Sequence, residues 1–85
     1  MYVVMIFASD NKLEEKPKFF KWRVDARAYA LTKVQSAEYA EIFDADGLGN
    51  PGNEMLFKLI LNRKPIERIS RSDLEAPKAR SASLT

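Results

Sequence analysis

The segment "DADGLGNPGNE", Asp44 to Glu54, gathers three carboxylates and all three glycines of the chain. Such a composition suits a hard-cation loop or a turn. A calcium loop places oxygen ligands at positions 1, 3, 5, 7, 9 and 12, with glycine at 6 and a bidentate glutamate at 12. Counted from Asp44, positions 1, 3 and 6 are Asp44, Asp46 and Gly49, but position 5 is Leu48 and position 12 is Met55. Glu54 falls one residue early. The same segment supplies what a long hairpin connection needs, because Gly, Asn and Pro provide the positive and fixed φ angles of tight turns. It is read as a turn, and no metal ligand is assigned.

The rest of the chemical inventory is narrow. With no histidine and no cysteine, the chain lacks the usual general base near neutral pH, a thiolate nucleophile and any soft-metal site. A magnesium-dependent nuclease built from Asp44, Glu54 and Lys58 has the wrong spacing, and two of its carboxylates would sit in or beside a turn rather than on rigid elements. Ser70, Ser72, Ser81 and Ser83 have no base beside them in sequence. Catalytic residues and cofactors are therefore both read as none.

The residues suited to contact rather than catalysis are basic and aromatic. In "KPKFFKWRV", strand alternation puts Phe20, Trp22 and Val24 on an inward face and Phe19, Lys21 and Arg23 on an outward one. A second basic cluster, "NRKPIERISR", holds Arg63, Lys64, Arg68 and Arg71, and Lys58 precedes it. Phe19, Lys21, Arg23, Lys58, Arg63, Lys64, Arg68 and Arg71 are thus the candidate partner-binding residues. Lysine and arginine can steer an acidic protein surface or neutralise phosphate, while an aromatic ring anchors or stacks. Trp22, on the inward parity, is expected to be structural.

The elements that must position these residues follow from periodicity. "YVVMIFAS" is β-branched and aromatic with apolar side chains on both parities, which predicts a central strand. "KFFKWRV" predicts a half-exposed strand. "DARAYALTKVQSA" opens on an N-cap residue and sets apolar positions near helical spacing, predicting a helix over about 26–37. "EYAEIFD" reads either as a continuation of that helix or, preferably, as a third strand ahead of the Asp-Gly turn. "EMLFKLILN" alternates well enough for a strand buried on both faces, and "IERIS" for a short edge strand beside Pro65. The expected fold is α+β, in the order β-β-α-β-β with an optional fifth strand: an antiparallel-rich sheet with one helix on one face. Residues 1–71 form that domain, and 72–85 are a polar, basic tail too poor in apolar groups to fold.

Composition bounds the reading. A chain of 85 residues buries only about 60–65% of its unfolded surface, leaving little room for an enclosed site. Net charge is +2, distributed as −1 over residues 1–17, +4 over 18–36, −5 over 37–54 and +4 over 55–85. Absence of cysteine suits a reducing cytoplasm, and "MYVVMIFASD" is too short to span a bilayer and lacks a basic leader, so no membrane partner is expected.

One helix covers one face of a sheet, yet two of the expected strands are apolar on both. The uncovered face predicts a non-enzymatic interaction module of inhibitor or adaptor type. Its partner would be a larger protein or complex, or a second copy of the chain. Nucleic acid bound through the same basic residues is the alternative.

Overall fold

A computed structural model describes residues 1–74; most of the expected tail, 75–85, lies outside the described residues. The architecture is α+β. Its elements are β1 (Tyr2–Phe7), β2 (Lys18–Phe20), α1 (Arg23–Lys33), β3 (Tyr39–Asp44), α2 (Asn53–Asn62) and β4 (Glu67–Ser70). The strands form one sheet in the order β2-β1-β3-β4, every neighbouring pair antiparallel.

β1 is central, as its two apolar parities predict. Tyr2 lies opposite Phe20 and Asp44, and Phe7 opposite Tyr39. Val4 and Ile6 point to one face, where they join Ala26, Ala30, Val34, Ala40, Ile42 and Ile69. Val3, Met5 and Phe7 point to the other, with Tyr39, Phe43, Met55 and Leu59. β3 is the strand expected at "EYAEIFD", and β4 the edge strand expected at "IERIS", ending the sheet where Pro65 needs no ladder partner.

Three expectations are corrected. The helix expected at 26–37 runs from Arg23 to Lys33, with Trp22 in extended geometry at its N-cap and Asp25 in its first turn. β2 therefore stops at Phe20, and the strand parity expected through Val24 does not apply: Trp22 and Val24 are exposed. Phe20 does turn inward, 5.3 Å from the Tyr29 ring.

The second correction is larger. "EMLFKLILN" is not a strand but helix α2, so the observed order is β-β-α-β-α-β. No interior place in the sheet is left for it, because β1 is flanked by β2 and β3, and β3 by β1 and β4. Its residues are also good helix formers, rich in leucine, with Met55, Lys58 and Glu54, and Ile60 as the lone β-branched side chain. The third correction follows. The sheet carries a helix on each face, and the open face inferred from a single helix is covered by Met55 and Leu59 of α2.

The acidic loop connects β3 to α2 rather than two strands of a hairpin. Gly47 and Gly49 adopt φ of +84° and +92°, conformations that glycine reaches without steric cost. Asp44 Oδ1 accepts the Asp46 backbone N–H at 3.0 Å, and the Asp46 carboxylate pairs with the Met1 amine at 2.5 Å. Among the described residues no helix is long and apolar enough to cross a membrane.

Candidate docking surface around α2

Six of the ten residues of α2 are large and apolar: Met55, Leu56, Phe57, Leu59, Ile60 and Leu61. At about 100° per residue they cover roughly 240° of the circumference, whereas a surface helix normally needs an apolar stripe little more than 100° wide. Met55 and Leu59 meet the sheet and are buried, and Leu56 packs beside them. The remainder of the arc faces outward, with Phe57 61%, Ile60 51% and Leu61 68% exposed. Burying the first stripe leaves a second one unused.

The C-terminal end of α2 is pinned to the sheet by Arg63. This residue caps the helix at φ +28°, outside the conformations ordinary side chains prefer, and its side chain anchors it there. Nε donates to Glu41 at 2.9 Å and Nη2 donates to the Tyr39 hydroxyl at 3.2 Å. The guanidinium also lies 4.7 Å from the centre of the Phe7 ring. Phe7 stacks on Tyr39 at 4.8 Å and 11°, and Arg68 sits 4.2 Å from the centre of the Tyr39 ring. Tyr39 in turn donates to Asn11 Oδ1 at 2.9 Å. Among the described residues Glu41 is the one charged residue that is buried, and Arg63 is its ion partner. The Glu41 and Tyr39 hydrogen bonds raise the Arg63 pKa above its ordinary value.

Beside Arg63, between the C-terminal half of α2 and the loop after β1, lies a cavity of about 300 Å³. Met5 and Phe7 form its floor, Leu13 and Ile60 its walls, and Lys12 and Arg63 its charged edge. Leu13 is held there by a bridge to Phe7, and Asn11 makes the bend with φ of +65°.

The residues expected to meet a partner are distributed unevenly. Lys58, Arg63 and Lys64 belong to α2 and its cap, and Arg68 joins the same face through Tyr39. Lys58 is bridged to Glu54 one turn away at 3.5 Å. Phe19 also lies on this face of the sheet, opposite Val3, but packs half-buried against the core instead of standing out as an anchor. Lys21 and Arg23 sit at the start of α1: Lys21 lies 5.2 Å from the centre of the exposed Trp22 ring, and Arg23 pairs with Glu67 at 3.4 Å. Arg71 follows β4, its backbone N–H donating to the Glu38 carbonyl. The strand reading missed Phe57, Ile60, Leu61 and Leu13. The signal for the first three was the continuous apolar arc that the same residues make at helical spacing.

Compared with protein-family models, with curated proteins and with solved structures, the chain matches none.

Proposed function

We propose that the chain is a small non-enzymatic protein-interaction module of inhibitor or adaptor type, docking through the outer stripe of α2. The observation that carries this reading is the second apolar stripe itself, Phe57, Ile60 and Leu61, on a helix whose first stripe already closes the core. Apolar side chains three and four residues apart on one helix face are the anchors of helix-in-groove recognition. Lys58, paired with Glu54, lies within the helix, Lys64 follows it in sequence and Lys12 shares the cavity with Ile60; Lys12 and Lys64 have no ion partner among the described residues. The fitting occupant is an apolar groove with an acidic rim on a larger protein. A second copy fits less well. Its rim would repeat the same cations, and two helices of about 15 Å packed stripe to stripe bury far less than the roughly 1,200 Å² of a stable interface.

The test combines sedimentation with capture. The purified chain is expected to sediment as a monomer; a dimer dissolved by Phe57→Ser would assign the stripe to self-association. A partner captured from host lysate should survive nuclease and physiological salt, be lost with Phe57→Ser and Leu61→Ser, and be retained by Lys21→Ala with Arg23→Ala. Amide exchange on the purified complex should then show new protection along α2. Protection at residues 16–23 instead would reject the assignment.

One observation favours a second reading, single-stranded nucleic acid. Trp22 is 59% exposed, and Lys16, Lys18 and Lys21 surround it in sequence, an arrangement suited to base stacking with phosphate contacts. Such binding would weaken by about 0.7 log units per contact for each decade of salt. It would also be lost with Trp22→Ala, a change that leaves the α2 stripe untouched.

A further inference from the structure

The cavity beside Arg63 has a chemistry that protein docking does not require. Apart from Asn11, whose Oδ1 accepts from Tyr39, its floor and walls are apolar, and both charged side chains at its edge are cations, Lys12 and Arg63. Lys12 has no side-chain partner among the described residues. Arg63 uses Nε and Nη2 to hold Glu41 and Tyr39, and its Nη1 makes no hydrogen bond among the described residues. The apolar volume and the unused donors therefore meet in one place. A cavity of about 150 Å³ accepts a benzene ring, so the present 300 Å³ has room for about twelve carbons on the same scale, more than a body of about eight carbons needs.

We infer that this cavity is a binding site for a small amphipathic carboxylate, with an aliphatic or aromatic body lying on Met5 and Phe7 between Leu13 and Ile60 and its anionic head between Lys12 and Arg63. Charge complementarity selects the head. A neutral head leaves the Lys12 charge and the remaining Arg63 N–H without an anion, and a cationic head is repelled by Lys12. The same site explains why Leu13, at the edge of an otherwise polar loop, turns back onto Phe7: it closes the wall opposite Ile60. Ile60 and Lys12 belong to both surfaces, but the inference does not rest on the docking reading, since Phe57 and Leu61 do not line the cavity.

Three probes of equal length test it on the full chain: octanoate, octan-1-ol and octylammonium, each followed by methyl and amide chemical shifts. Octanoate should shift Met5, Leu13 and Ile60 saturably with a midpoint near about 1 mM, the range expected for some ten heavy atoms at ordinary ligand efficiency. Octan-1-ol should bind at least about threefold more weakly, and octylammonium more weakly still. Lys12→Gln, at an exposed side chain without a partner, should weaken octanoate toward the affinity of octan-1-ol, with Arg63 retaining part of the preference, while leaving the fold unchanged. Phe57→Ser with Leu61→Ser should leave octanoate binding intact even if partner capture is lost. No saturable shift up to about 5 mM, equal affinity for octanoate and octan-1-ol, or indifference to Lys12→Gln would each overturn the inference.

Discussion

On one face of the sheet α1 sets Ala26 and Ala30 against Val4, Ile6 and Ile42; on the other, α2 reaches Val3, Met5 and Phe43 with the long side chains of Met55 and Leu59. Alanine lets the α1 backbone lie close across β1, β3 and β2, whereas α2 stands farther from the strands. Their outer surfaces differ more. Beyond the exposed Trp22 and Val24 at its start, the outer side of α1 is polar and tied down by ions: Arg27 and Arg23 both reach Glu67, Lys33 reaches Glu15 at 3.2 Å, and Tyr29 hydrogen-bonds the same Glu15. The exposed side of α2 is apolar and bordered by the Lys58–Glu54 pair. A helix that only had to complete the core would resemble α1, so the difference identifies α2 as the element with a second task.

Breaking the α1 face should have the largest effect. Ile42→Ala, at a fully buried position of that cluster, is expected to cost about 2–5 kcal/mol, measured as a lowered urea midpoint with unchanged slope. A loss below about 1 kcal/mol would show that this face is not the tighter of the two.

The α2 face should fail locally. Arg63→Ala leaves the Glu41 carboxylate buried without its ion partner, at a cost of about 1–3 kcal/mol, toward the lower end because Arg63 itself is half exposed. Amide exchange should rise along α2 first while α1 keeps its protection. Equal loss of protection in both helices would mean that α2 is not a separable layer.

A smaller effect is expected where α1 is tied to β4. Hydrogen bonds from Arg27, then Arg23, hold the Glu67 carboxyl below its ordinary value of 4.5. A depressed carboxylate contributes stability that is complete above the unfolded value and is lost as pH falls through the folded one. Wild type should therefore lose more stability than Glu67→Gln below pH 4.5, by no more than about 1 kcal/mol for pairs this exposed. Parallel acid curves for the two proteins would show that the pairs contribute nothing.

The smallest effect separates the observed fold from the strand reading. Trp22→Ala, had Trp22 been in the core, would cost several kcal/mol. At an exposed N-cap without a side-chain capping bond, it should stay within about 0.5 kcal/mol. Thermal unfolding well below wild type would place Trp22 in the core after all.

How far the site was legible follows from the same residues. Arg63 and Lys58 were recognisable as contact residues from charge alone, but their internal partners were not. Glu41 is far from Arg63 in sequence, and nothing local shows that β3 presents it to the cap of α2. Phe19 and Trp22 exchanged roles because alternation was carried four residues past the end of β2, through Val24. A strand parity holds only while the strand lasts, and the change to helical geometry at Arg23 leaves no mark in a run of aromatic and basic residues.

What the amino-acid sequence determined by itself is the class of fold and its centre. Apolar side chains on both parities of residues 2–7 require a strand covered on both faces, and alanines at helical spacing require a helix lying close on one of them. What only the tertiary structure decided is the state of residues 53–62. Their apolar positions satisfy a period of 2 and a period of 3.6 alike, so local pattern is indifferent. The choice was made by the sheet: β1 and β3 already have neighbours on both sides, and β1 needs a cover for Val3 and Met5. The segment folds as the helix that supplies that cover, and its remaining apolar side chains are left facing out.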